Sequence, residues 1–403
     1  MTTSGLDLTD AGLYLSGDVH GTFAELRRTP GLFWQAAADG PGFWAVTRYA
    51  DALPVYRDTH AFTTTRGILL KPGRGRPEPG SGRMLVMTDP PRHTELRRVL
   101  NRYFSPRTVA GLEARLRQDV EGLLDRALAA GRCDFVSEVA ARVPVSVICE
   151  MLGVPRTDRD RVHELTGIAF SSADPTYRVS GSERMSAGRA HTEILGYFAG
   201  LLRRRRAAPG DDIVSLLATA EVDGERLDDH EVLLDCDNLI VGGNETTRHA
   251  AAGGLLALLE HPGEMAKVRA DPGLLEPLVE EVLRWTSPAT HILRSARHPV
   301  EVAGQAIRPG QDVVIWNISV NRDEAAFDRP HRFDVARSPN RHLALGVGEH
   351  FCLGAALARM ELRVLFGALL ARTRSVELAG RPERLRSNML TGYRSLPVTL
   401  IPA

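Results

Sequence analysis

Apolar positions along the chain recur mostly at helical spacing, and a smaller set alternates as strands do. The stretch 42–49 reads as a strand and 49–59 as a helix. The stretch 71–82 is rich in Gly, Pro and Arg and reads as a mobile loop. From 90 to 202 the pattern is largely helical, broken at Ser105-Pro106, Gly131, Gly153-Val154-Pro155 and Asp174-Pro175. Asp89 is placed to cap the first of these helices, with Pro90 at its first position. The run Arg203 to Arg206 closes another, where cationic side chains complement the helix dipole. A long helix is predicted from Asp228-Asp229 to Glu260, stopped by His261-Pro262-Gly263. At 1.5 Å per residue it would span roughly 45–50 Å, enough to cross a domain. Helices over 263–270 and 274–285, strands over 300–302 and 312–319, and a helix over 353–372 follow. The stretch 396–401 reads as an edge strand, because Pro397 cannot donate to a ladder. With no repeat and no low-complexity linker, residues 1–403 are expected to form one domain, mainly α with small accessory β-sheets.

Composition narrows the function. Of 403 residues, 43% are hydrophobic and 25% charged, which suits a large core. Fifty basic residues balance fifty acidic ones, so no global field favours nucleic acid or an anionic membrane. No aromatic residues interleave with Arg203 to Arg206, which removes the one local case for nucleic acid. Cys133, Cys149, Cys236 and Cys352 are far apart and form no CxxC pair, as in a reduced intracellular protein. The first 21 residues lack the pattern of a signal peptide or anchor, and the longest uncharged apolar run, Ala250 to Leu259, has ten residues. A cytoplasmic protein without a membrane anchor is expected.

The segment 342–354 carries the strongest chemical signal. Gly346 and Gly348 permit a tight turn, and Cys352 stands just before a predicted helix, whose N-terminal amides favour a thiolate. Gly354 leaves room for a flat ligand against that helix. A dinucleotide fingerprint is excluded because Phe351 occupies the third glycine position and no strand leads in. A zinc site lacks ligands, since His350 and Cys352 supply two at most. A structural cysteine remains the alternative on these grounds.

This segment resembles the cytochrome P450 signature, Phe-Gly-x-Gly-x-(His or Arg)-x-Cys-x-Gly. Every fixed position matches except the first, where Leu345 replaces Phe. The smaller side chain is expected to let the loop sit closer to the sulfur. The resemblance implies haem b, with Cys352 as thiolate ligand to the iron, a ligation that favours O–O cleavage. It extends upstream. Glu281-Val282-Leu283-Arg284 matches the family's Glu-x-x-Arg, and Arg337 falls where a second arginine completes that network, giving Glu281, Arg284 and Arg337 a structural role. Gly242-Gly243-Asn244-Glu245-Thr246 matches the family's (Ala or Gly)-Gly-x-(Asp or Glu)-Thr on the long helix. There the helix opens slightly over the iron; Thr246 would deliver protons to bound oxygen, and Glu245 would relay them from solvent. Two adjacent glycines inside a helix cost about 1 kcal/mol each against Ala, and tight helix packing would also explain them. His93 and Arg97, at i and i+4, together with Arg294 and His350, match family contacts to the haem propionates.

The resemblance covers nearly the whole chain and implies a monooxygenase that inserts one atom of O2 into an apolar small molecule, most often by hydroxylation. Electrons would come from a separate ferredoxin and ferredoxin reductase, docking on a basic face with Arg98, Arg102, Arg341, Arg359 and Arg363 as candidates. The substrate would touch Asn238, Val241, Gly242, Ala289, Thr290, Ile292, Met389 and Leu390, with a further wall from the loop 65–82. Two other functions stay open: oxidative coupling or another non-hydroxylating tailoring reaction, and a non-catalytic haem sensor. Secondary metabolism is the expected setting.

Overall fold

The computed structural model describes residues 6–37, 40–70, 78–171, 173–179 and 181–403. Its architecture is mainly helical. In chain order the helices are α1 (Ala11–Ser16), α2 (Val19–Arg28), α3 (Tyr49–Arg57), α4 (Arg92–Phe104), α5 (Pro106–Ala130), α6 (Arg142–Met151) and α7 (Arg159–Ser171), then α8 (Glu183–Ala207), α9 (Ile213–Thr219), α10 (Asp229–Glu260), α11 (Pro262–Ala270), α12 (Leu275–Thr286), α13 (Asn317–Val320) and α14 (Ala355–Arg372).

The centre is α10. Asp228 accepts from the Glu231 amide (2.8 Å) and Glu231 reaches back to the Asp228 amide (3.0 Å), a reciprocal cap that fixes its start. Beyond its first turn α10 is apolar on several faces and packs against α6, α7, α8, α12 and α14, as a helix buried nearly all round must. Gly254 allows part of this contact: a Cβ there would lie 2.7 Å from Val282 and 2.8 Å from Phe366.

Two sheets flank the helices. The larger has strand order Phe33–Gln35, Phe43–Val46, Asp312–Trp316, His291–Ala296, Phe62–Thr63. Only the Phe43–Val46/Asp312–Trp316 pair is parallel. The smaller has Pro397–Pro402 between Thr373–Leu378 and Arg132–Asp134, all antiparallel.

Several sequence expectations need correction. Pro397–Pro402 is a central strand, with Pro397 opposite Asp134 at its end, where the missing donor costs least. The strand expected over 312–319 stops at Trp316, and Asn317 begins a turn of helix. Asp89 does not cap α4. Its carboxylate instead binds Thr63, the Thr64 amide (3.0 Å) and Arg297, tying the chain before α4 to the large sheet. Of the loop expected over 71–82, residues 71–77 lie outside the described residues; Leu85–Met87 beyond it forms a 3-10 turn. Among the described residues, no helix is long and apolar enough to cross a membrane.

Candidate active site

A cavity of about 350 Å³ lies between α10 and the cysteine loop. Its floor is the segment 344–354 with the start of α14. The helix begins at Ala355, two residues later than the pattern suggested, with Gly354 as its cap. Gly346 and Gly348 have φ of 68° and 84°, the left-handed region that favours glycine. At Gly348 a side chain would also press on the Tyr56 carbonyl, 3.2 Å from the added Cβ. This turn brings the Cys352 amide onto the Leu345 carbonyl (2.9 Å) and opens the sulfur to the cavity. Leu345 itself lines the cavity.

The four cysteines separate by environment. Burial pushes the Cys133 and Cys149 thiols up to about 12, and Cys236 well above its ordinary value. Burial also raises the Cys352 thiol, but the Gly354 amide, Arg97 and Arg359 pull against it. Cys352 is thus the cysteine that combines access with groups favouring a thiolate.

Beside it is a cationic wall. His93 and His350 lie 4.1 Å apart by ring centroids. Both ring nitrogens of His93 and Nε2 of His350 are buried without a hydrogen-bond partner among the described residues. Arg97 and Arg294 line the same wall. Burial, with these guanidiniums, depresses His93 to about 4 and His350 to about 2. Such a cluster calls for an anionic partner. A planar macrocycle with two carboxylates meets that demand, with its metal at Cys352 and Gly354 clear of any atom that a Cβ would touch. The residues present therefore fit haem.

Under the floor, Glu281 is fully buried. It takes a two-pronged pair from Arg284 (2.7 and 2.8 Å) and bonds from Arg337 (3.1 Å), Asn340 (3.1 Å) and the Asp334 amide (2.9 Å). Arg284 also donates to the carbonyls of Asn321 and Pro330, each at 2.9 Å. The sequence run Asn321-Arg322-Asp323 also fits the family, but motif reasoning gave Asn321 no role and missed Glu280. The Asn321 side chain accepts from the Leu343 amide (2.7 Å), and Glu280 holds both His342 (3.2 Å) and Arg359 (2.7 Å), which keeps its carboxyl down at about 2. Only the tertiary fold brings both to the cysteine loop.

Above the floor, Asn238, Val241, Gly242, Ala289, Ile292, Met389 and Leu390 face the cavity, as do Gly67, Ile68, Leu69 and Glu78 of the loop segment. Thr290 does not. It is fully buried just before the strand His291–Ala296, with its hydroxyl 3.1 Å from that of Thr391 and its amide on the Met389 carbonyl, so the 389–391 segment takes it up. The paired glycines divide their work: Gly242 opens to the cavity, while a Cβ at Gly243 would meet Ile148 of α6 at 3.2 Å.

Thr246 faces the cavity, yet its hydroxyl bonds the Gly242 carbonyl (3.0 Å) and the helix stays continuous there, without the opening expected. Glu245 does not face it. One hundred degrees away on the helix, this carboxylate is fully buried and paired with Arg248 at 2.6 Å. Burial raises its pKa although Arg248 opposes the rise. Glu361 and Asp237 are carboxyls that the motifs did not mark and that do face the cavity. Glu361, bonded by Thr247, is pushed up to about 8 by burial, and Asp237 holds His191 at 2.9 Å. Arg98, Arg102 and Arg341 are exposed, Arg98 being paired with Glu95 (2.6 Å), whereas Arg359 and Arg363 are engaged by Glu280 and Glu113.

Comparison with known proteins agrees with this geometry. The cytochrome P450 family model matches residues 273–390. A Mycobacterium tuberculosis protein named cytochrome P450 126 is 41% identical, covering 98% of both chains. The methyl-branched lipid omega-hydroxylase of the same organism is 37% identical over 96% of this chain and 92% of its own. The crystal structure of P450 OxyD, described as involved in the biosynthesis of vancomycin-type antibiotics, superposes with a TM-score of 0.90 at 38% identity, covering 99% and 100% of the two chains. The chain belongs to the cytochrome P450 family. It is a haem b-dependent monooxygenase that uses O2, and members of the family typically work with redox partner proteins.

Proposed function

We propose that this enzyme hydroxylates an apolar small molecule, drawing electrons from a ferredoxin and its reductase. The observation that carries the reading is the placement of Thr246 and Gly242 on α10 in the same largely apolar cavity that receives Cys352. When bound, haem supplies a thiolate-ligated iron at which dioxygen is activated. Cys352 would ligate the metal, and Gly346 and Gly354 would let the backbone approach the ring. His93, Arg97, Arg294 and His350 would neutralise the propionates, while the Glu281–Arg284–Arg337 network would hold the loop from beneath. Val241, Ala289, Ile292, Met389 and Leu390 would orient the substrate and exclude water, with Asn238 offering one polar contact. Thr246 would hold a proton at Oγ1, facing the cavity. Glu245, locked to Arg248, would act only after a side-chain rotation. Arg102 and Arg341, with Arg98 beside its partner Glu95, would be the exposed cations for docking an acidic ferredoxin.

Two variants test the reading. Cys352→Ser should remove the long-wavelength band of the reduced carbon monoxide complex, and its survival would displace Cys352 as the ligand. Thr246→Ala should keep its haem but lower product formed per NADPH by about tenfold, the effect of losing a positioned proton donor being at least that large. Equal coupling in the two proteins would favour a non-hydroxylating reaction.

A further inference from the structure

We propose that a second cavity, beyond the C-terminal half of α10, binds a small free oxyanion such as inorganic phosphate. Its volume is about 220 Å³. His249, Gly253, Leu256, Ala257 and Glu260 form one wall, spaced as a single helix face. Leu390 separates it from the active-site cavity, since that residue lines both.

The cavity holds more cations than it can pair. Arg322 is 4% exposed and stacks over Trp285, with its guanidinium carbon 4.5 Å from the ring centroid. Stacking serves the face of the guanidinium, but its N–H donors point outward in the plane. Nη1 is buried and has no hydrogen-bond partner among the described residues. Burial and the neighbouring Arg284, Arg27 and Arg384 pull this guanidinium down to about 9. His20, from α2, also has a buried Nδ1 without a hydrogen-bond partner among the described residues. Burial and the charges of Arg322, Arg384, His331 and Arg27 depress it to about 2. The one carboxylate among the lining residues is Glu260; Glu324, taken by Arg27 at 2.9 Å, also lies 3.8 Å from His331.

A buried guanidinium without an acceptor is costly, and an oxyanion relieves that cost through two parallel N–H···O bonds. Arg384 at the rim and the two imidazoles, His20 and His331, would supply further contacts. The bland alternative is an Arg322–Trp285 stack that needs only water. The site also has a structural consequence. Arg322 follows Asn321, whose carbonyl takes Arg284 and whose side chain takes the Leu343 amide, so a bound anion would brace the approach to the cysteine loop.

The test is calorimetric titration of the holoenzyme with inorganic phosphate, at constant ionic strength set by sodium chloride. Saturable 1:1 binding is expected. Arg384→Ala should weaken it roughly tenfold, in line with one charge-assisted bond, and Arg322→Met should abolish it. Glu260→Gln, which removes the competing carboxylate, should tighten it. Phosphate should raise the melting temperature of the wild type but not of Arg322→Met. No saturable binding up to about 20 mM, where general ionic screening takes over, would overturn the site. So would unchanged affinity in both Arg384→Ala and Glu260→Gln, which decide the matter if Arg322→Met fails to fold. Tighter binding of adenosine monophosphate than of phosphate would overturn the assignment to a free anion.

Discussion

Glu281 on α12 and Glu245 on α10 invite direct comparison. Each is fully buried, and each stands three residues before an arginine that pairs with it, at 2.7 Å for Arg284 and 2.6 Å for Arg248. Their surroundings differ. Glu281 receives Arg337, Asn340 and a backbone amide as well, so both oxygens are fully used. Glu245 has weaker company in addition: Asn244 at 3.4 Å, a hydrogen bond from Thr166, and His249 at 3.8 Å. Arg284 spends its remaining donors on buried carbonyls. Arg248 lies 5.8 Å over Tyr177 and lines a separate cavity with His163 and Arg394. The same local spacing therefore yields two devices: an over-determined lock under the cysteine loop, and a loosely held carboxyl that can change partner or protonation. Spacing on a helix specifies the pair; the tertiary shell decides whether the pair is structural.

The strongest way to break this contrast is Glu281→Gln. It leaves two guanidiniums, those of Arg284 and Arg337, facing an amide in a dry site. Removing one partner of a buried pair costs about 3–5 kcal/mol. Chemical denaturation of the holoprotein should show that loss, together with a lower fraction of haem-bound protein. A loss no larger than that of Glu245→Gln would erase the distinction.

Arg337→Ala should have a smaller effect. Its guanidinium donates to Glu281 and to the carbonyls of Asp328 (2.6 Å) and Arg332 (2.8 Å), but Arg284 still neutralises the carboxylate after its removal. Hydrogen bonds to charged groups contribute about 1.5–3 kcal/mol, which bounds the expected destabilisation. Denaturation midpoints check it. A larger loss than for Glu281→Gln would mean that Arg337, rather than the carboxylate, organises the network.

The same division explains what could be read from the sequence. Features with local causes were legible: the span of α10 from its cap to Pro262, the glycine turn before Cys352, and the Glu281–Arg284 spacing. Long-range partners were not. Asp89 looks like a helix cap until Thr63, Thr64 and Arg297 arrive from the sheet to claim it. Pro397 looks like an edge marker until Arg132–Asp134 adds a third strand beyond it. Thr290 belongs to a segment that borders the cavity, but its partners, Thr391 and the Met389 carbonyl, come from about a hundred residues away. Glu245 follows a motif that names its position on the helix and not its partner. Arg322 sits in a short run, Asn321-Arg322-Asp323, whose cationic surroundings come from α2, the 331 region and the 384 strand.

Glu245→Gln is expected to produce the smallest change and one with a distinctive pH dependence. Burial raises the Glu245 pKa above its ordinary value, so the folded state holds this proton more tightly than the unfolded state. The group's contribution to stability is then fully present below the unfolded value near 4.5 and is lost as pH rises through the raised folded value. Gln cannot ionise, so the variant escapes that loss. It does forfeit the Arg248 pair, but Arg248 keeps Tyr177 and its own cavity, and the net cost should stay at the lower end of the about 1.5–3 kcal/mol that a hydrogen bond to a charged group contributes. Stability relative to wild type should therefore improve as pH rises above about 4.5, in urea titrations of the two holoproteins. An offset that does not change with pH would show that Glu245 does not titrate with a raised pKa. A cost of several kcal/mol would place it in the same class as Glu281, as a lock on the distal side of the cavity.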